Sequence, residues 1–139
     1  MAGEFSDAGA FKALDAVTGR ATVTSGTTYL ALLTAAPDDA TTLAGLAEYT
    51  ATGYSRQSVS WASPALNGSS LPETSNTADL TFGPFTAGTG ATITHCALVS
   101  AASGTTGDVF AWWSFDSSRT PATNDSLIVS TGNLKLAVD

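Results

Sequence analysis

The strongest constraint on this chain is a two-residue alternation of side-chain character that returns again and again after residue 53. Gln57, Val59 and Trp61 oppose Tyr54, Arg56, Ser58 and Ser60, and Ala78, Leu80 and Phe82 oppose Thr77, Asp79 and Thr81. The same pattern runs from Ala91 to Val99 and from Asp108 to Phe115, where Val109, Ala111, Trp113 and Phe115 oppose Phe110 and Trp112. Successive side chains of a strand point to opposite faces, so each run gives one face to a core and one to solvent or a partner. Thr28 to Thr34 (TYLALLT) is instead almost continuously apolar, the mark of a strand buried on both faces. Leu127 to Ser130 and Leu134 to Val138 read as two short strands, and the tight link Thr131-Gly132-Asn133 predicts that they pair as a hairpin. Gly, Pro, Asn and Ser gather between the runs, at 63–72, 83–90, 103–107 and 117–124, and Pro37 opens a loop from Asp38 to Ala47 with room for one helical turn. Short strands punctuated in this way predict a mainly β, single-domain antiparallel β-sandwich, jelly-roll-like in character.

The start of the chain has a different period. Ser6 or Asp7 can cap a helix by accepting from an orphan amide of the first turn. Phe11, Leu14 and Thr18 then fall along one face, with Ala10, Ala13 and Val17 beside it, and Gly19 ends the run. The acids come early and Arg20 late, as the helix dipole favours. Residues 1–20 therefore form an N-terminal arm with an amphipathic helix over Ser6 to Thr18, and 21–139 form the sandwich.

Charge excludes several partners. Twelve acids against five bases give a net charge of −7, and the five cations Lys12, Arg20, Arg56, Arg119 and Lys135 stand singly. Nucleic-acid affinity comes from clustered Lys and Arg at phosphates, so neither a nucleic acid nor an anionic membrane surface suits this chain. Only 12% of the residues are charged, roughly half of the ~25% of an ordinary soluble domain, which suits a domain packed among neighbours. No apolar stretch reaches the ~18 residues of a membrane span. Met1 to Phe5 lack the basic start and apolar run of a signal peptide, so the protein is expected to be made in a cytoplasm and to reach its place by assembly. Without a secretory route, Asn67-Gly68-Ser69 and Asn124-Asp125-Ser126 read as turns.

The search for chemistry is negative. The single cysteine, Cys96, excludes an internal disulfide, and the single histidine, His95, is the only candidate base. As neighbours in a strand the two point to opposite faces and cannot act together. Zinc would need carboxylates for its remaining ligands. Asp38-Asp39 lacks the spaced oxygen ligands of calcium loops. Asp116 and Asp125 flank one loop, but glycosidase chemistry needs a cleft between its carboxylates. The expectation is no enzyme, no cofactor, no metal and no catalytic residue.

The aromatic residues remain. Adjacent Trp112 and Trp113 must point oppositely, so one joins the core and the other shares the outer face with Phe110. A covering helix at 6–18 and a partner's surface both account for that outer pair. Phe5, Phe11 and Leu14 give the arm an apolar character, and Arg56 lies on the polar face of its run, placed to pair with an acid on the next strand or on a neighbouring subunit. The candidate interface residues are thus Phe5, Phe11, Leu14, Phe110, Trp112 and Arg56.

The order of these pieces resembles a family of small virion proteins of tailed phages, described as tail fibre or head decoration proteins. The resemblance is carried by TYLALLTAAP (Thr28 to Pro37), GYSRQSVSW (Gly53 to Trp61), NTADLTF (Asn76 to Phe82), ATITHCALVSAASG (Ala91 to Gly104), FAWWSF (Phe110 to Phe115) and NDSLIVSTGNLKLAV (Asn124 to Val138). Cys96-Ala97 departs from the small residue and glycine more usual in that segment. The resemblance implies a non-enzymatic structural protein on the outer surface of the virion. A decoration protein that binds the major capsid protein, copies of itself, or both, is the leading expectation. A tail fibre or tail-tip subunit bound to other tail proteins is the alternative, although the chain shows no stalk. A carbohydrate-binding sandwich is a third reading.

Overall fold

A computed structural model describes residues 1–23 and 26–138. The elements in chain order are β1 (Glu4–Phe5), α1 (Asp7–Thr18), β2 (Thr28–Leu33), a 3-10 turn (Leu43–Gly45), β3 (Gln57–Val59), β4 (Ala65–Leu66), β5 (Pro72–Ser75), β6 (Leu80–Phe82), β7 (Ile93–Val99), β8 (Val109–Arg119), β9 (Leu127–Val129) and β10 (Lys135–Ala137). Five strands make the larger layer in the order β1-β8-β7-β2-β3, and the opposing layer is divided between the sheets β10-β5-β4 and β6-β9. All pairings between these strands are antiparallel. The architecture is the expected mainly β sandwich with one short N-terminal helix.

The main core lies between the layers. Leu30, Leu32, Cys96, Leu98, Ala111 and Trp113 from the large sheet meet Leu80, Phe82, Leu127, Val129 and Leu134 from the other side. A second cluster covers the opposite face of the large sheet, where Ala31, Leu33, Ala97 and Val99 lie beneath Leu43 of the 3-10 turn. The continuous apolar run of β2 follows from this, because Leu30 and Leu32 serve one core while Ala31 and Leu33 serve the other. The loop opened by Pro37 does hold one helical turn, and that turn carries the plug.

Three expectations need correction. The last two strands do not form a hairpin: β9 pairs with β6, and β10 pairs with β5. The cause is buried Asn76, which takes up the main chain between them. Its Nδ2 donates to Ala78 O and Ser130 O, its Oδ1 accepts from Leu134 N, and its carbonyl accepts from Gly132 N. Gly132 still supplies the turn at φ 78°, but the chain leaves it into a different sheet.

The segment 63–72, read as turn, contains β4 and the start of β5, which pair as a small hairpin. Its tip is closed by Asn67 Oδ1, which accepts from Ser69 N and Leu71 N, so Asn67 is the turn residue it was taken for. Likewise β8 continues past Phe115 to Arg119, where it faces Ile93 beyond a register shift. Ser114 and the residues from Asp116 to Arg119 are exposed and polar, so backbone pairing continues where side-chain alternation has stopped.

The first residues belong to the large layer. β1 pairs with β8, and the backbone at Gly3 lies on the indole of Trp113 so closely that an added Cβ would come within 2.7 Å of three ring atoms. Gly3→Ala is therefore expected to lower stability by about 1–3 kcal/mol through overpacking. Asn76→Ala should remove about 2 kcal/mol or more, because it leaves the buried Leu134 amide without an acceptor. Chemical denaturation of both variants would check this, and melting like the parent would show that neither contact matters.

Candidate interaction surface

α1 begins at Ser6, whose Oγ accepts from Gly9 N at 3.1 Å and donates to Val109 O. The helix ends at Gly19 in the left-handed region (φ 66°), as the sequence predicted. Its inner face is polar or small rather than apolar. Gly9 sits against the carbonyl of Phe110, where a Cβ would approach the oxygen to 2.0 Å. Lys12 pairs with Asp108 at 3.3 Å. Asp15 is half-buried and paired with Arg20.

The outer face is the reverse. Phe11, Leu14 and Val17 are 64%, 61% and 87% exposed. Amphipathic helices normally turn their apolar stripe to the core; this one turns it to solvent. Such a stripe is three large apolar side chains on one rigid ridge, which is the character of an interaction surface rather than of scattered surface residues.

The other candidates divide by location. Phe5 and Phe110 are half-buried beneath α1, where they line a groove of about 640 Å3 together with Ala13, Val23 and Thr28. The helix thus provides the cover that one reading of Phe110 proposed. Trp113 is fully buried in the core, and its Nε1 donates to Lys135 O at 2.8 Å. Trp112 points to the opposite face, half-buried against the second cluster and tilted on His95 at 5.9 Å between ring centres. The opposed orientation of the two tryptophans is as the alternation predicted, but Phe110 does not share the face of Trp112: it packs against the main core, because the strand pairing shifts register between Val109 and Ala111. The indole nitrogen of Trp112 is buried and has no hydrogen-bond partner among the described residues.

Arg56 is not on an open polar face. Residues 53–56 precede β3 and are outside any strand, so the alternation does not extend through them. The Arg56 side chain is only 5% exposed and grips Glu48 with two nitrogens, Nε at 2.8 Å and Nη2 at 2.6 Å. It also donates to Ala101 O and Gly104 O. Tyr54 joins the cluster by donating from Oη to Glu48 at 2.6 Å. Burial, then the Glu48 carboxylate, push the Tyr54 hydroxyl well above its ordinary pKa, and the Glu48 hydrogen bond pushes the Arg56 guanidinium up in turn. Arg56 therefore ties three loops of its own chain together.

The chemistry of single groups points the same way. Cys96 and His95 face opposite sides of β7: Cys96 lies in the main core, and burial pushes its thiol far above the ordinary value. Burial lowers the pKa of His95, whose Nδ1 lies 2.8 Å from Thr94 Oγ1. Among the described residues no three His, Cys, Asp or Glu side chains come together, and no helix is long and apolar enough to cross a membrane.

Sequence reasoning placed Phe11, Leu14 and Thr18 along one face with Val17 beside it, and Val17 is the most exposed apolar residue of that face.

The described residues thus form a β-sandwich with a seated helix that displays an apolar ridge. The sequence matches the family described as Podophage GP4 fiber I protein gp80 over residues 4–137, and the chain belongs to that family. This bears out the resemblance to small tailed-phage virion proteins. No curated protein sequence matches the chain.

The two faces of α1 make opposite demands on stability. Replacing Phe11, Leu14 and Val17 together by serine should change the denaturation midpoint little, because exposed substitutions usually stay within about 0.5 kcal/mol each. Gly9→Ala should cost about 1–3 kcal/mol by forcing the helix off Phe110. A large loss in the serine variant would mean that the ridge is part of the fold after all.

Proposed function

We propose that this protein is a non-enzymatic structural subunit on the outside of a tailed-phage particle, with the outer face of α1 as its assembly contact. One observation carries the reading: the helix is held to the sandwich by its small and polar face, leaving Phe11, Leu14 and Val17 outward. Burying each such side chain in a partner is worth about 1.5–3 kcal/mol, so the displayed ridge is a reservoir of binding energy.

Composition favours the capsid exterior, as a decoration protein on the shell of the major capsid protein. A net charge of −7 keeps free copies apart, while only 12% charged residues leave little hydration to strip when copies pack closely. A tail fibre is the second placement, and the description of the matched family as a fibre protein favours it. A carbohydrate platform has less support, since Trp113 is sealed in the core, Trp61 is half-buried with its ring stacked on Trp113 at 6.4 Å, and Trp112 is half-buried beside His95.

Particles assembled with the Phe11, Leu14 and Val17 serine variant in place of the parent are expected to lack the protein, although it folds normally. Quantitative mass spectrometry of the parent particle separates the placements, with hundreds of copies for decoration and a small multiple of the tail symmetry for a fibre. Incorporation of the serine variant at the parent level would remove α1 from the assembly mechanism.

A further inference from the structure

We infer that the ridge of α1 is completed by the same ridge of a second copy of this chain, the two helices crossing antiparallel with Leu14 on the twofold axis. The inference rests on the reading of α1 as an assembly contact and names its occupant.

The stripe is self-complementary. At about 100° per residue, Leu14 lies at its middle, with Phe11 and Val17 about 60° to either side and Ala10 and Thr18 about 40° to either side. A twofold axis at Leu14 therefore sets Phe11 of one copy beside Thr18 of the other and Ala10 beside Val17, a larger residue against a smaller one each time. Isologous contacts have this property, since the same patch must serve both partners.

Charge at the helix ends agrees. Asp7 stands in the first turn and Arg20 one residue beyond the cap. The antiparallel arrangement brings each Asp7 to the partner's Arg20, twice over. The Arg20 side chain is 74% exposed, so its pairing with Asp15 leaves guanidinium donors free. A parallel arrangement would instead set like charge on like charge at both ends.

The stripe itself, Ala10, Phe11, Leu14, Val17 and Thr18, contains no charged residue. Two chains of net charge −7 thus meet where neither carries repelling groups. A lipid surface is disfavoured by the same composition, because no Lys or Arg flanks the ridge on the outer face except Arg20.

The seat of the helix makes the contact rigid. Gly9 on the Phe110 carbonyl, the Ser6 cap and the Lys12–Asp108 pair hold α1 against β8, so the ridge is presented without further ordering. One helix pair buries less than the ~1,200 Å2 typical of stable complexes. The dimer is accordingly weak and concentration-dependent, the range in which crowding of copies on a particle completes it.

Sedimentation equilibrium of the purified full chain over a wide concentration range tests this. The parent should dimerise reversibly, and Leu14→Asp, which sets two carboxylates face to face on the axis, should weaken dimerisation on the order of thirtyfold or more, with circular dichroism and melting unchanged. Arg20→Asp and Asp7→Arg should each weaken it, and the double variant should recover it, an outcome that only the antiparallel arrangement gives. Because Cys96 is sealed in the core, Leu14→Cys supplies a single reactive thiol, and a short bismaleimide should link it into dimers while Ile128→Cys on the sandwich stays monomeric. A parent that stays monomeric throughout, or a dimer indifferent to Leu14→Asp, overturns the inference. If such a protein is nevertheless lost from particles when the ridge is made polar, the assembly contact stands and its occupant is another virion protein.

Discussion

Trp113 is the point at which the separate parts of this fold are bound to one another. Its indole fills the main core, stacks beside Trp61, lies under the backbone of Gly3 and donates to the carbonyl of Lys135. One side chain thereby joins the central strand β8 to the N-terminal strand, to the segment after β3 and to the last strand of the opposing layer. A buried indole nitrogen must find an acceptor or lose about 1–3 kcal/mol, and here the acceptor is main chain from the other layer. The ring thus sets both the spacing of the layers and the course of the two ends of the chain. Everything that displays α1 follows, because β1 must lie beside β8 before Ser6 can cap the helix against Val109.

The rest of the sandwich is tied by polar groups that stand in for regular pairing. The second layer is split into two small sheets, which leaves the main chain between them needing partners. Asn76 supplies these on the β6-β9 side, and Asp79 adds two hydrogen bonds from Thr131 that hold its carboxyl below the usual range. On the other side of the molecule Arg56, Glu48 and Tyr54 fasten the loops around 48, 56 and 101–104. Fixing loops by a buried, bidentate Arg–carboxylate pair costs desolvation, and the geometry recovers it only when the spare donors are also satisfied. Two of the three remaining N–H donors of Arg56 reach carbonyls, which is why an arginine expected at an interface is found holding its own fold.

On the proposed reading, α1 is where such a frame turns into function. The helix contributes little apolar burial to its own domain, and its attachment rests on a glycine, a cap and an ion pair. Energy not used in the fold is available for association, and it is concentrated on one ridge. The family assignment supplies the setting in which an exposed ridge of this kind is useful, a particle built from many protein contacts.

The alternation of Leu80 and Phe82, and of Ala111 and Trp113, was enough to determine the strands and the faces they turn inward, because the two-residue period of a strand is a local property; Val109 falls instead to the second cluster, across a register shift that the sequence did not show. The unbroken run of β2 declared burial on both sides for the same reason, and the cap and stop of α1 at Ser6 and Gly19 could be read from residue type alone. Pairing partners could not. β9 and β10 follow one another through a tight turn, yet Asn76, more than fifty residues earlier in the chain, sends them to different sheets. Nor could the sequence say which face of α1 meets the sandwich. Its pattern is amphipathic either way up, and only the carbonyl of Phe110 against Gly9, with Asp108 waiting for Lys12, turns Phe11, Leu14 and Val17 outward. Local periodicity determines what each segment is; which segments meet, and which apolar face is left without a partner, depends on contacts that exist only once the chain has closed on itself.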